Sequence, residues 1–139
     1  MRVHPQPVLS VTDPRIGDYA RLTDMELRQR SEPAAGIFIA EGHLVIARCI
    51  ESGMAIRSVL TSPRWIDRLE PILATVDAAL YVADDEVLRG ITGFHVHRGA
   101  LASVERPPAR SPQDVLGAPG DVLLLEAVSY THLTLPTKA

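Results

Sequence analysis

Residues 36–53 read GIFIAEGHLVIARCIESG, and this stretch predicts a buried strand followed by a buried helix. The apolar run at 37–40 is short, which favours a strand, and residues 41–42 predict the turn that ends it. From 43 to 52 apolar residues cover most sides of the segment, which is typical of a helix inside a core. Gly53 stands where a C-terminal glycine cap belongs.

Strands and helices continue to alternate after this segment. Two short helices are predicted between the later strands, and Asp84 caps the second of them. The further strands lie at 56–60, 79–82 and 100–104. Alternation of this kind through 37–104 is typical of an α/β fold, a parallel or mixed sheet covered by helices.

The N-terminal region divides into two predicted parts. Residues 1–12 contain prolines and no period, so we expect a flexible leader. Asp13-Pro14 is a helix-start signal, and an amphipathic helix is predicted from Arg15 to Arg30, ending before Ser31. One face of this helix carries four arginines with acidic residues between them. The arginines are Arg15, Arg21, Arg28 and Arg30, and the acids are Asp18, Asp24 and Glu26.

The C-terminal region has a different composition. Residues 107–120 hold four prolines and two glycines, which indicates a linker. The apolar run at 121–128 predicts one buried strand, the start of a second domain. Thirteen of the fourteen cations are arginine, and the only lysine, Lys138, lies in residues 129–139. That final segment resembles translated sequencing-adapter readthrough, so we expect it to be a non-native tail.

Composition excludes several classes of protein. Hydrophobic residues make up 46% of the 139 residues and the net charge is −3, which is globular and not globally basic. The single cysteine, Cys49, excludes an internal disulfide framework and a cysteine-rich zinc site, and we expect it to be a small buried hydrophobe. No apolar run reaches the ~18 residues of a membrane helix, and no secretory signal is recognisable. A cytoplasmic protein is therefore expected.

The order of several motifs resembles one family. Asp13-Pro14-Arg15 precedes the arginine-bearing segment, and the strand-turn motif at 38–42 leads into an apolar helix. The later motifs are Ser58-Val59-Leu60, residues 82–88 (VADDEVL) and residues 92–102 (TGFHVHRGALA). In this order they resemble the N-terminal, substrate-binding domain of SpoU/TrmH-family RNA methyltransferases, over about residues 13–106.

The resemblance implies a function. The family transfers a methyl group from S-adenosylmethionine to a ribose 2′-hydroxyl of structured RNA, rRNA or tRNA. Its first domain is a three-layer α/β/α fold that helps to hold the RNA, and its knotted second domain binds the cofactor and forms the homodimer. Residues 121–128 resemble the first strand of that second domain. We therefore expect a chain truncated before its catalytic domain, with no catalytic or cofactor-binding residue of its own, unable to bind S-adenosylmethionine or methylate.

The candidate RNA-binding residues are cations and one glycine turn. They are Arg15, Arg21, Arg28, Arg30, Gly42, His43, His97 and Arg98. Arginine donates two hydrogen bonds to one phosphate or stacks on an unstacked base. A glycine at the start of a helix lets a phosphate approach the backbone amides closely. Each group has a structural alternative. The first four arginines could form a solvated helix face, Gly42 a plain turn, and the histidines of residues 95–99 could be hydrogen-bonded within their loop.

Two other features have competing interpretations. His95 and His97 alternate in an extended stretch and share one face, but no third ligand is evident, so no metal site is predicted. Trp65, beside Arg64 and Arg68, is expected to pack rather than to stack on a base.

Two functions other than RNA methylation remain open. The chain could be a stand-alone RNA- or ribosome-binding module without catalysis, against which the strand after the linker argues. It could also be a small-molecule-binding α/β protein, although no recognised glycine-rich phosphate loop occurs.

Overall fold

A mixed five-stranded sheet organises residues 4–107. The structure is a computed structural model that describes residues 4–124 and Glu126. Along the chain, the boundary between two compact units falls between Pro107 and Pro108. The strands of the first unit are β1 (Pro5–Pro7), β2 (Ile37–Glu41), β3 (Ile56–Thr61), β4 (Ala79–Val82) and β5 (Ala100–Glu105). Their spatial order is β1-β4-β3-β5-β2; β4 is parallel to β1 and β3, whereas β5 is antiparallel to β3 and β2.

Helices cover both faces of this sheet. They are α1 (Met25–Ala35), α2 (His43–Glu51), α3 (Ile66–Leu73) and α4 (Asp85–Thr92), with 3-10 helices at Pro14–Tyr19 and Pro63–Trp65. Side chains of β3 alternate between the faces, with Val59 in one core and Leu60 in the other. α2 and α3 bury Ile46, Cys49, Leu69 and Leu73 on the first face. The first 3-10 helix and α4 bury Ile16, Tyr19, Leu88 and Ile91 on the second.

These layers confirm the predicted α/β/α fold. The predicted strands at 37–40, 56–60, 79–82 and 100–104 each form within a residue of the expected bounds. Cys49 is buried as expected, and burial raises the pKa of its thiol.

The predicted single helix from Arg15 to Arg30 was wrong. Asp13 does cap a helix start, accepting a hydrogen bond from the Arg15 amide at 2.9 Å, but that 3-10 helix ends at Tyr19. Arg21 then adopts a left-handed backbone (φ 56°), and its amide donates to the Ile91 carbonyl. Asp24 caps α1 by accepting from Leu27, a second start signal inside the same apolar pattern. α1 also continues through Pro33 to Ala35, and Gly36 (φ 68°) ends it.

Residues 5–7 form an edge strand where the sequence predicted a flexible leader. Pro5 pairs with Leu80 and Pro7 with Val82, in parallel register. Val8 follows and is buried, its amide donating to the Val82 carbonyl at 2.8 Å. Proline is tolerated in a strand only where its missing N–H faces away from a neighbouring strand. Two prolines in three residues therefore argued against a strand at this position.

Tyr19 fastens the first 3-10 helix to the sheet. Its buried hydroxyl hydrogen-bonds Ser58 Oγ at 2.7 Å and accepts from the Ser103 amide at 3.1 Å. Burial raises the pKa of this phenol, which therefore stays neutral.

The second unit contains one short helix, α5 (Pro112–Leu116), inside the predicted linker. Ser111 and Asp114 form a reciprocal capping box that starts it. Residues 121–124 carry no strand, contrary to the prediction for 121–128, and Leu124 is 88% exposed. An apolar run forms a strand only beside another strand, and the described part of this unit has none. The rest of that run except Glu126, together with the predicted tail at 129–139, lies outside the described residues.

Candidate functional site

Several loops converge at one edge of the sheet. β2 and β3 point the same way because both are antiparallel to β5, and β1 and β4 are parallel to β3. Four strands therefore end at the edge where β5 begins, which we call the carboxyl edge. Ligands of open α/β sheets characteristically bind at this edge.

Gly42 brings the start of α2 against the segment that enters β5. Its amide donates to the Ala100 carbonyl at 2.8 Å, and the His43 amide donates to the Arg98 carbonyl at 3.3 Å. Gly42 has φ 99°, and a Cβ there would lie 3.3 Å from the Cβ of Arg98. The structure thus brings together three residues that the sequence singled out, Gly42, His43 and Arg98.

This arrangement changes the chemistry expected of the turn. The sequence analysis offered the amides at the start of α2 as phosphate donors. Those of Gly42 and His43 already donate to carbonyls of Arg98 and Ala100. The Arg98 side chain at this junction is exposed, and none of the described residues forms an ion pair with it.

Trp65 lies beneath the same junction. Its half-buried ring packs against the core between the sheet and α2 and α3, which is the packing role expected. The His43 ring stacks on it with centroids 5.6 Å apart, and a Cβ on Gly99 (φ 93°) would lie 2.7 Å from two ring atoms. Gly42, His43, Trp65, Arg98 and Gly99 together are called the carboxyl-edge cluster below.

Two further arginines flank this cluster, and the sequence analysis did not include them among the RNA-binding residues. The Arg68 guanidinium lies 5.9 Å from the centroid of the Trp65 ring, and Arg64 is 3.6 Å from the Asp85 carboxylate. The signal that could have found them is position, because Arg64 follows the end of β3 as Gly42 follows the end of β2.

His95 and His97 do share one face, as predicted. Their exposed rings stack in parallel, with centroids 4.5 Å apart, while Val96 between them is buried. Within residues 4–124 and Glu126 no group of three His, Cys, Asp or Glu side chains is placed to hold a metal ion. His97 adjoins Arg98 at the entry to β5.

Arg15 stands apart from the carboxyl-edge cluster, on the flank formed by β1 and β4. Its guanidinium forms an ion pair with Asp13 at 2.6 Å, donates to the Pro7 carbonyl, and lies 5.5 Å from the centre of the Tyr81 ring. Hydrogen bonds from Arg15 lower the pKa of the Asp13 carboxyl. This cation is already neutralised by its neighbour two residues away.

The remaining helix arginines lie toward the other edge. Arg28 pairs with Glu32 and lines a cavity with Ile37, the first residue of β2, at the end of that strand opposite to Gly42. Arg21 pairs with Asp24 at 2.8 Å, one of the acids expected. Arg30, in α1, is exposed and forms no ion pair with a described residue.

Asp18 and Glu26 are not partners of these arginines among the described residues. Asp18 instead accepts a hydrogen bond from Ser103 Oγ at 2.6 Å and lies 4.0 Å from Arg57.

Two cavities of the first unit are smaller than the usual pocket for a nucleoside cofactor. One, between the first 3-10 helix, α1 and β2, has a volume of about 180 Å³, and a shallow one beside α1 has about 270 Å³. Pockets for cofactors and drug-sized ligands usually have about 300–1,000 Å³. Among the described residues, no helix has the length and apolarity needed to cross a membrane.

Comparison with known proteins gives sequence and fold relatives. No protein-family model matches the chain. It is 32% identical over 124 residues to an uncharacterized tRNA/rRNA methyltransferase of Mycobacterium bovis. The match covers 89% of this chain and 43% of that protein, so the chain spans less than half the length of this curated relative.

Solved structures share the fold. An rRNA methyltransferase from Sinorhizobium meliloti, crystallised with AdoMet bound, superposes with a TM-score of 0.56 at 17% identity, over 76% of this chain and 38% of its own. An RNA 2′-O ribose methyltransferase gives 0.52 at 22% identity, over 73% and 38%. In sequence and in fold this chain is thus similar to a part of RNA methyltransferases, which agrees with the resemblance that its motifs predicted.

Proposed function

We propose that residues 13–106 form the RNA-binding domain of an RNA 2′-O-ribose methyltransferase and that the carboxyl edge contacts the RNA. The similarity to a tRNA/rRNA methyltransferase supports an RNA substrate. The fold shared with an RNA 2′-O ribose methyltransferase supports the position of the methyl group. The observation that carries the contact surface is Arg98, an exposed cation without an acidic partner among the described residues, anchored by backbone bonds at the Gly42 junction.

Arginine on an anchored backbone suits phosphate recognition. Its guanidinium donates two parallel hydrogen bonds to phosphate oxygens, and neutralising a phosphate releases counterions. Arg64 and Arg68 extend the positive surface from β3 to α3, although Asp85 partly offsets Arg64. His97 adds an exposed ring beside Arg98.

The arginines of residues 15–30 play a smaller part in this proposal. Arg15, Arg21 and Arg28 each have a carboxylate neighbour within four residues, so an RNA phosphate competes with an existing pair. Arg30, an exposed cation of α1, is proposed as a separate contact outside the carboxyl-edge cluster. Gly42 and His43 contribute by holding the junction together rather than by donating their amides.

The proposal for the whole protein goes further. We infer that a longer protein of this kind methylates a ribose 2′-hydroxyl of rRNA or tRNA in the cytoplasm. S-adenosylmethionine supplies the methyl group, and a separate domain holds it and forms a homodimer. The described residues contribute RNA binding to that reaction.

Arg98→Ala tests the contact surface. Binding of the full chain to a tRNA transcript and to an rRNA hairpin is measured by fluorescence anisotropy across a salt series. We expect weaker binding and a slope of log affinity against log salt that falls by about 0.7 to 0.9, the loss of one phosphate contact. Arg48→Ala is the matched control, since Arg48 is exposed on α2 with only a 4.0 Å approach to Glu51. Equal affinity and slope in the Arg98 and Arg48 variants would contradict the proposal.

A further inference from the structure

Three successive carbonyls are fixed at the entry to β5. The Arg98 carbonyl accepts from the His43 amide, the Gly99 carbonyl from Thr61 Oγ1, and the Ala100 carbonyl from the Gly42 amide. The backbone of residues 98–100 is therefore tied to the ends of both β2 and β3.

The ring of Trp65 closes this arrangement from below. Gly99 is buried against the ring so closely that no side chain fits between them, and His43, which donates to Arg98, stacks on the same ring. Trp65 Nε1 is buried and has no hydrogen-bond partner among the described residues. The ring thus acts at this junction through its shape and apolar surface, not through its polar atom.

We propose that Trp65 is a positioning residue that holds residues 98–100 against the start of α2 and so fixes the direction of Arg98 toward RNA. The inference rests on the function proposed above. Removing the ring leaves a gap under Gly99, and the segment gains freedom that must be lost again when Arg98 binds a phosphate. Ordering one such side chain corresponds to about a 2- to 10-fold change in affinity.

The test compares Trp65→Ala with Trp65→Phe. The alanine variant is expected to bind the tRNA transcript about 2- to 10-fold more weakly, with the salt slope of the parent, because the Arg98–phosphate contact still forms once the segment is ordered. The phenylalanine variant is expected to restore affinity, because it keeps an aromatic face against Gly99 and loses only an unpaired N–H. Trp65→Leu, which keeps apolar volume in the core, replaces the alanine variant if that variant unfolds.

A double-mutant cycle separates positioning from direct contact. If Trp65 acts through Arg98, Trp65→Ala combined with Arg98→Ala binds no more weakly than Arg98→Ala alone. If Trp65 itself stacks on a base, the two losses add, and that result overturns the inference.

A measurement without RNA keeps this inference distinct from the proposed function. Amide hydrogen exchange of Gly42 and His43 is expected to accelerate in Trp65→Ala and to stay at the parent rate in Trp65→Phe. Unchanged exchange in the alanine variant overturns the positioning role even if the parent binds RNA. If exchange accelerates in the alanine variant but the parent binds no RNA, Trp65 is a structural support only, and the failure lies with the proposed function.

Discussion

Two regions of this molecule carry arginines, and they use them differently. Between residues 15 and 30 the arginines pair with acids of their own segment, as Arg15 does with Asp13 and Arg28 with Glu32. At the carboxyl edge, Arg98 is held by backbone bonds to His43, fifty-five positions earlier in the chain, and no described acid pairs with it.

The difference is a consequence of sequence distance. Charges that are close in sequence reach each other along a helix or turn, and they neutralise each other before any ligand arrives. A cation that is placed by long-range backbone pairing has no such local partner. Density of arginine along the chain is therefore a weaker guide to a binding surface than the position of one arginine in the sheet topology.

Gly99→Ala is expected to have the largest effect on stability, because it breaks the carboxyl-edge cluster. An alanine Cβ would lie 2.7 Å from the Trp65 ring, in a backbone conformation of φ 93° that L-residues rarely adopt. We expect a loss of about 2 to 4 kcal/mol in the free energy of unfolding, from the strain and the overpacking together. Urea denaturation followed by circular dichroism measures it.

Gly36→Ala is the control for that experiment. Gly36 also has a positive φ, 68°, but no atom lies within 4 Å of the added Cβ. Its expected loss is about 1 kcal/mol, from strain alone. Equal losses at both glycines would show that the approach to Trp65 contributes nothing.

Tyr19→Phe tests whether the N-terminal segment is primarily structural. The substitution leaves Ser58 Oγ and the Ser103 amide without their shared buried partner. We expect the free energy of unfolding to fall by about 1 to 3 kcal/mol, while RNA affinity at low temperature stays at the parent value. Tyr81→Phe, which removes a hydroxyl with no described hydrogen bond, is the comparison and should change stability little.

Much of the fold could be predicted because its signals are local. The strands at 37–41 and 56–61 are apolar runs bounded by turn residues, and Gly93 and Gly53 mark helix ends. β1 was not predicted, because two of its three residues are prolines. The break between the first 3-10 helix and α1 was not predicted, because the apolar spacing continues across it. The backbone hydrogen bonds at the break join Arg21 and Leu22 to the end of α4, and such long-range bonds leave no local signal.

The site could be predicted only in part. Gly42 and Arg98 were recognisable as a turn and an exposed cation, but their contact depends on the register that pairs Glu41 with Leu101. No local pattern encodes that register. Arg64 and Arg68 required the further step of noticing that β2 and β3 end at the same edge.

Replacing Arg15, Arg21 and Arg28 together with alanine compares the two arginine regions directly. Three lost phosphate contacts would lower the salt slope by about 2 to 3. We expect a smaller change than the single Arg98→Ala variant produces, because each of the three already has a carboxylate partner. The measurement is the anisotropy salt series, with thermal melts to confirm folding. A decrease near 2 to 3 would make the N-terminal segment the main RNA surface and reverse the comparison.

Asp13→Asn is expected to have the smallest effect, and pH resolves it. Hydrogen bonds from the Arg15 side chain and amide lower the pKa of the folded Asp13 carboxyl below its value in the unfolded chain. A lowered folded pKa contributes stability above the unfolded pKa, about 3.9, and this contribution is lost as the pH falls through the folded value.

Asparagine still caps the 3-10 helix but carries no charge. The parent should therefore be slightly more stable than the variant at pH 7, and the difference should shrink below about pH 4. Thermal melts from pH 7 to pH 3 measure this, and a difference that is constant with pH would show that the pair with Arg15 contributes no charge-dependent stability.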